Sequence, residues 1–275
     1  MRITSLVDDL KSANDLLSEH GLSFYIENDI KRYLFDTGAT VSFIHNANRM
    51  RINLRKVDAL FISHNHYDHI GGLTYFMEIN KKAKIYIKED AINETFYLRD
   101  YVRCPLGKFY NELAENKRVI FVKDDMQVDD FYLLSDTKGE KNLFAMGAKF
   151  LMEKNGEIVP DDFSHEMFLT FVKNNKINII SGCSHRGVIN IIESAKSKFT
   201  LPVHSFIGGF HLAAKGGTDI NCTAEYYNSL VDYLKNENIP RLYTCHCTGR
   251  HAYTMIKKDL YNQIRYFYLG DTITI

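Results

Sequence analysis

Apolar residues along this chain come in short runs, and most of the runs stop abruptly at a polar or glycine-containing turn. Residues 22 to 36 read as two strands, Leu-Ser-Phe-Tyr-Ile-Glu and Arg-Tyr-Leu-Phe-Asp, joined by a turn around Asn28-Asp29. The second run ends at Asp36-Thr37-Gly38, after which Phe43, Ile44 and Met50 predict a short amphipathic helix. Val57 to Ser63 reads as another strand, the stretch from Gly71 as a helix, and Lys84 to Lys88 as an alternating strand. Residues 90 to 165 carry no sustained period. Strands are predicted there near Arg118 to Val122 and Phe131 to Leu134, with a polar surface turn over Asp136 to Asn142.

From residue 176 the pattern is regular again. Ile177 to Ile180 predicts a strand ending in Ser181-Gly-Cys-Ser-His185, followed by a helix with Val188, Ile191, Ile192 and Ala195 at helical spacing. Val203 to Ile207 predicts a strand ending in Gly208-Gly-Phe-His211, and Thr223 to Asn236 a helix carrying Tyr226, Tyr227, Leu230, Val231 and Leu234. Arg241 to Thr244 predicts a strand ending in Cys245-His-Cys-Thr-Gly249, before a final helix and strand. Four apolar runs therefore terminate in histidine: His64 with His66, then His185, His211 and His246. In β-then-α units a ligand crevice lies outside the carboxyl ends of the strands, so these histidines are expected to converge on one site.

Composition narrows the class. With 275 residues, 45% hydrophobic and 25% charged, the chain can bury a substantial core as an ordinary globular protein. Lys plus Arg equals Asp plus Glu, 34 each, which argues against a nucleic-acid partner bound through a strongly basic field. No apolar run approaches the roughly 20 residues needed to cross a bilayer, and the first residues carry no secretory pattern. A cytoplasmic protein with no membrane partner is expected. The five cysteines, Cys104, Cys183, Cys222, Cys245 and Cys247, then read as thiols rather than a disulfide framework.

The chemistry concentrates in Leu60-Phe-Ile-Ser-His-Asn-His-Tyr-Asp-His-Ile-Gly-Gly72. Three imidazoles and a carboxylate within six residues, His64, His66, Asp68 and His69, cannot be buried unpartnered without a large desolvation cost. A divalent metal is the partner that suits all four.

This His-x-His-x-Asp-His pattern resembles the signature of the metallo-β-lactamase superfamily. The resemblance implies an α+β fold, an αββα sandwich of two mixed β-sheets flanked by helices. Residues 1–275 would form a single domain, with a variable substrate-covering segment at about 90–165. It also implies a binuclear centre of two divalent metal ions, zinc or alternatively iron or manganese. His64 and His66 would share one metal, while Asp68 and His69 belong to the second. His165, 18 residues before Cys183, matches the superfamily's third motif, and His246 matches the last motif histidine. The bridging acid of the superfamily usually reads Gly-Asp; here Gly182-Cys183 stands in its place. Cys183 is then a thiolate bridge, or His185 turns in as the ligand instead, or both support the ligands from outside. On an extended segment alternate residues point oppositely, so Cys245 and Cys247 are expected to face away from His246 and pack. His211 is extra to the superfamily set, and reads as a proton donor or phosphate contact rather than a loop-bound histidine. Asp68, His211 and His185 are the candidate catalytic residues. Asp36 is expected to orient a ligand histidine.

Six stretches resemble one branch more closely: Glu19 to Glu27, Leu34 to Gly38, Ser63 to His69, Ser181 to His185, Gly208 to Leu212 and Cys245 to Gly249. That branch is the 7,8-dihydropterin-6-methyl-4-(β-D-ribofuranosyl)-aminobenzene-5′-phosphate synthases and their bacterial relatives. Three functions follow as expectations. The first is a metal-dependent hydrolase acting on a small molecule. The second is a transferase that condenses a dihydropterin methyl pyrophosphate with an aminobenzene ribofuranosyl phosphate and releases pyrophosphate. The third is a binding protein that has lost the chemistry, disfavoured by the intact ligand motif. In the transferase, Phe96, Tyr97, Tyr101, Phe109 and Tyr110 could stack a pterin while Arg99 or Arg103 takes phosphate; an ordinary hydrophobic core or lid is the slightly favoured alternative.

Overall fold

The computed structural model describes residues 1–107, 111–135, 137, 150–213 and 219–275. The chain divides into two compact units. The first comprises Met1–Lys123, Lys149–His165 and Tyr268–Ile275, and the second Asp124–Ala148 and Glu166–Phe267.

The first unit is built on a seven-stranded sheet in the order Thr272–Thr274, Arg2–Val7, Ser23–Glu27, Arg32–Phe35, Ala59–Phe61, Lys84–Lys88, Val119–Val122. Pairing is antiparallel as far as Arg32–Phe35 and parallel beyond it. The parallel half needs crossovers, and the helices Ser42–Arg49 and Leu73–Ile79 supply them. Alternation along the strands sends Leu34, Leu60, Ile85 and Ile87 into one core with Phe43, Ala47, Leu73 and Phe76 of these helices. The opposite face carries Phe24, Phe35, Phe61 and Tyr86 as cross-strand neighbours, all buried. Each such ring contributes about 1.5–3 kcal/mol of burial.

The second unit has the same logic. Its seven-stranded sheet runs Ile264–Tyr266, Arg241–Thr244, Val203–Gly208, Lys176–Ile180, Phe168–Lys173, Phe131–Leu134, Met126–Val128. The first three pairings are parallel and the last three antiparallel. Helices Val188–Phe199, Ala224–Glu237 and Arg250–Leu260 make the parallel crossovers and bury Ile191, Ile192, Leu230, Leu234 and Ile256 with the strand residues Ile177, Ile179, Phe206 and Leu242. Thr223 caps the second of these helices by accepting the Tyr226 N–H at 3.2 Å.

The regular periods found in the sequence correspond to these strands and helices. Several features were not anticipated, the strand Met126–Val128 beside Phe131–Leu134 among them. Arg2–Val7 is a strand between Ser23–Glu27 and Thr272–Thr274, and Phe168–Lys173 is a strand paired with Lys176–Ile180. Within residues 90 to 165 the first unit also forms a four-stranded antiparallel sheet, in the order Glu157–Pro160, Phe150–Lys154, Glu94–Arg99, Val102–Gly107. Two of its hairpins close with two residues in the left-handed region, Asp100-Tyr101 at φ 50° and 65° and Asn155-Gly156 at 54° and 82°. Asn-Gly is a strong hairpin signal in any sequence. The alternation around it is blurred because Leu98, Val102 and Ile158 are exposed. The polar turn expected over Asp136 to Asn142 lies outside the described residues, except for Thr137.

Candidate functional site

In the first unit the chain leaves the strand Ala59–Phe61 through Ile62-Ser63 and delivers His64, Asn65, His66, Asp68 and His69, all buried. Asn65 pins this loop by donating from Nδ2 to the carbonyls of Ala91 at 3.0 Å and Asn93 at 2.8 Å. Gly107 lies against the same loop: a Cβ there would sit 1.8 Å from the Asn65 carbonyl oxygen. The helix Tyr67–Ile70 then sets Asp68 and His69 on its single turn.

One carboxylate organises these side chains. Asp36 follows the strand Arg32–Phe35 in a left-handed conformation, φ 59°. It accepts the Ser63 N–H at 2.7 Å, the Ser63 hydroxyl at 2.7 Å and the Nδ1–H of His69 at 2.7 Å. The Ser63 oxygen lies 2.8 Å from Nδ1 of His64. With Nδ1 engaged on both rings, Nε2 is the nitrogen each can offer to a ligand. The His64 ring centroid is 4.0 Å from that of His69 and 4.6 Å from that of His66.

His165, carried in after the strand Glu157–Pro160, joins from another part of the unit. Its Nε2 lies 3.2 Å from Asp161 Oδ2, and its ring is 5.4 Å from His66. Donor atoms of His66, Asp161 and His165 lie within 4.8 Å of one another, and Nδ1 of His165 is buried without a hydrogen bond. Burial, reinforced by the neighbouring His165, pushes the His66 imidazole down to about 3, so it is neutral near pH 7 as a ligand must be. Burial acts on His69 in the same sense, but Asp68 and Asp36 outweigh it and lift this ring to about 9. A buried pocket of acid that holds a proton so firmly has the negative potential a cation requires. The residues therefore fit a divalent metal.

In the second unit, three strand-end loops carry the candidates. Ser184 at φ 58°, His211 at φ 50° and His246 at φ 45° are non-glycine residues in the left-handed region. Such conformations are costly and recur where ligands are held. Glu166 clamps the first loop by accepting the N–H groups of His185 at 2.7 Å and Arg186 at 2.9 Å. The rings of His185 and His211 lie 4.1 Å apart. Donor atoms of Cys183, His211 and Cys247 lie within 4.8 Å of one another. Burial opposes ionisation of Cys247, yet the Cys183 thiol and the imidazoles of His211 and His246 hold it well below the usual thiol range. The Cys247 thiol is buried and lies against Cys183 and His211. Residues His246–Thr248 form a 3-10 turn, so the alternation of an extended segment does not apply to them.

The profile of the metallo-β-lactamase superfamily matches residues 19–132. The 7,8-dihydropterin-6-methyl-4-(β-D-ribofuranosyl)-aminobenzene-5′-phosphate synthase of Methanocaldococcus jannaschii is 30% identical over 99% of this chain and 96% of its own length. The chain belongs to the metallo-β-lactamase superfamily. An uncharacterised protein of the same organism, MJ0448, is 28% identical over 99% of this chain and all of its own length. A crystal structure of Tm1679, described as a metal-dependent hydrolase of the β-lactamase superfamily, superposes with a TM-score of 0.84 at 28% identity, covering 100% of this chain and 99% of that one. The mixed sheets and flanking helices are those of the metallo-β-lactamase fold, and the branch resemblance runs the length of the chain. Among the described residues, no helix is long and apolar enough to cross a membrane.

Within this superfamily member, His64, His66, Asp68, His69 and His165 belong to the first unit, and Cys183, His185, His211 and His246 to the second. His20 was missed by sequence reasoning. Its Nδ1 lies 2.8 Å from Asp9 Oδ2 and its Nε2 3.5 Å from Asp68 Oδ2. The available signal was its place in Glu19-His20-Gly21, beside a glutamate that caps Thr40 and Ser42. Among the described residues, Phe96 and Tyr101 of the aromatic group do not share a stacking surface. Phe96 is buried, Tyr101 is 99% exposed at a hairpin tip, and Arg103 is held by Glu153 at 2.8 Å above the Phe96 ring. Phe109 and Tyr110 lie outside the described residues.

Proposed function

We propose that the protein is a metal-dependent hydrolase that acts on a small ester-like molecule such as a phosphodiester or lactone. The observation that carries this reading is the buried His64, His66, Asp68 and His69 group, oriented by Asp36 and Ser63. The proposed metal ligands are His64, His66, Asp68, His69 and His165 in the first unit and Cys183 and His246 in the second. The assignment follows the order of the superfamily's motifs. When bound, two zinc, iron or manganese ions would polarise a substrate oxygen and lower the pKa of water from about 15.7 to about 7.

The chain's own residues have separate tasks in this proposal. Asp36 fixes the tautomer of His69 and, through Ser63, the orientation of His64. His211 or His185 supplies a proton to the leaving group. The exposure of Tyr101 at a hairpin tip and the pairing of Arg103 with Glu153 favour hydrolysis over pterin alkylation. The transferase remains the second reading, favoured by 30% identity to the synthase over nearly the whole chain. The protein, loaded with metal, is to be incubated with a dihydropterin methyl pyrophosphate, with and without the aminobenzene ribofuranosyl phosphate. Pyrophosphate release without acceptor supports a hydrolase; release only with acceptor supports the transferase. Failure to retain any of the three metals would sink both.

A further inference from the structure

The second unit holds a donor set of which only Cys183 stands at a position of the superfamily's motif order; His211 and Cys247 do not. Cys183, His211 and Cys247 stand on the loops that follow three successive parallel strands, Lys176–Ile180, Val203–Gly208 and Arg241–Thr244. Their sulfur and nitrogen donors lie within 4.8 Å of one another. We propose that Cys183, Cys247 and His211 together hold one thiophilic metal ion, with zinc the ion that their donors fit.

Three features of the unit make this a built site rather than a chance meeting of thiols. The loops are stitched to each other: the Gly209 N–H donates to the Gly182 carbonyl at 2.8 Å, the Ala213 N–H to the Cys247 carbonyl at 2.9 Å, and the Phe210 N–H to the Thr248 hydroxyl at 2.8 Å. Room for the sulfur is reserved, since a Cβ at Gly209 would lie 2.3 Å from Cys247 Sγ. His211 presents its ring from a left-handed backbone, φ 50°.

The donor chemistry then selects the ion. Two sulfurs bound to one tetrahedral zinc at about 2.3 Å lie about 3.8 Å apart, within the spread of this cluster. Two thiolates and an imidazole disfavour magnesium, calcium and manganese, and leave a fourth position for water or substrate. The His185 ring lies 4.1 Å from that of His211. All three donors belong to the second unit; Cys183 is shared with the ligand set proposed above, so what the inference adds is Cys247 and His211, and it fails separately if those two do not bind.

Cobalt(II) tests it. Thiolate ligands give cobalt a sulfur-to-metal charge-transfer band in the near ultraviolet that grows with the number of sulfurs, whereas imidazole and carboxylate give none. Cobalt-loaded wild-type protein, reduced beforehand, is expected to show the band. Cys247→Ser and Cys183→Ser should each lower it by about half, and the double variant should abolish it. Cys222→Ser, a change at a thiol outside the cluster, should leave it intact. Cobalt bound without a charge-transfer band would overturn the inference while leaving the first unit's ligands standing. So would a Cys247→Ser band equal to that of wild type. Since Cys183 alone would give a band under the ligand set proposed above, the wild-type intensity is read as well: an intensity of one sulfur per cobalt overturns the inference even where a variant fails to fold.

Discussion

Asp36 Oδ2 accepts a hydrogen bond from Nδ1 of His69 at 2.7 Å, and both side chains are fully buried. The pair lies 33 residues apart in sequence, yet it decides which nitrogen of His69 faces the candidate metal position.

Replacing Asp36 by Ala removes the acceptor for His69 and for both donors of Ser63. Each buried donor left unsatisfied costs about 1–3 kcal/mol. Loss of such an orienting partner weakens metal binding about 10–100-fold. Urea denaturation and metal titration of Asp36→Ala check both effects. Wild-type metal affinity in a folded variant would remove Asp36 from the account.

Two glycines of the first unit should behave differently. Gly107→Ala drives a Cβ to 1.8 Å from the Asn65 carbonyl oxygen and must displace the loop that carries His64 and His66. Gly156→Ala meets nothing within 4 Å, so it costs only left-handed strain at φ 82°, about 1–2 kcal/mol. Metal titration should show weakened binding for the first variant and wild-type binding for the second.

Asp58 gives a defined pH dependence. Burial raises its carboxyl, but Lys82 at 2.7 Å, the Arg32 N–H at 3.0 Å and the charge of Lys31 outweigh that and hold it below the ordinary range. A depressed folded pKa means that the stabilisation is complete above the unfolded value of about 3.9 and is lost as pH falls through the folded one. Asp58→Asn keeps an acceptor for Arg32 and loses the charge. Its stability deficit, about 0.2–1 kcal/mol near neutral pH for a pair this exposed, should vanish in acid. Urea midpoints of both proteins across pH check this, and a deficit that does not shrink in acid would contradict it.

Cys222 should be a sluggish thiol. Burial pushes it up to about 11, against about 8.5 for a free cysteine. At pH 8 its thiolate fraction is lower than that of an ordinary thiol on the order of a hundredfold. Alkylation followed by mass spectrometry should show slow labelling that accelerates as pH approaches 11. Rapid labelling of Cys222 in the folded protein at pH 8 would contradict its burial.

Much of the fold was legible because its signals are local. The strands Ser23–Glu27, Arg32–Phe35, Lys84–Lys88 and Arg241–Thr244, and the helices Val188–Phe199 and Ala224–Glu237, follow from side-chain period and turn residues. The sheet across Glu94–Pro160 escaped because its exposed Leu98, Val102 and Ile158 blur the alternation that marks a half-buried strand. Asn155-Gly156 was the signal that could have revealed it.

The candidate ligands divide along the same line. His64, His66, Asp68 and His69 announce themselves because four donors within six residues demand a common partner. The expected role of Asp36 came from the resemblance of Asp36-Thr37-Gly38 to the superfamily's motif after an apolar strand. The partnerships of distant residues needed the folded chain. Asp161 reaches His165 only through a left-handed turn at Phe163, and Glu166 holds the His185 loop from 19 residues away. Cys183 and Cys247, 64 residues apart, come together although their parallel strands flank Val203–Gly208 on opposite sides, because both loops leave the same end of the sheet and Cys247 lies in a 3-10 turn. Residue type and spacing determined which atoms can bind a metal. Strand pairing and backbone dihedrals, which depend on the whole sheet, decided which of those atoms meet.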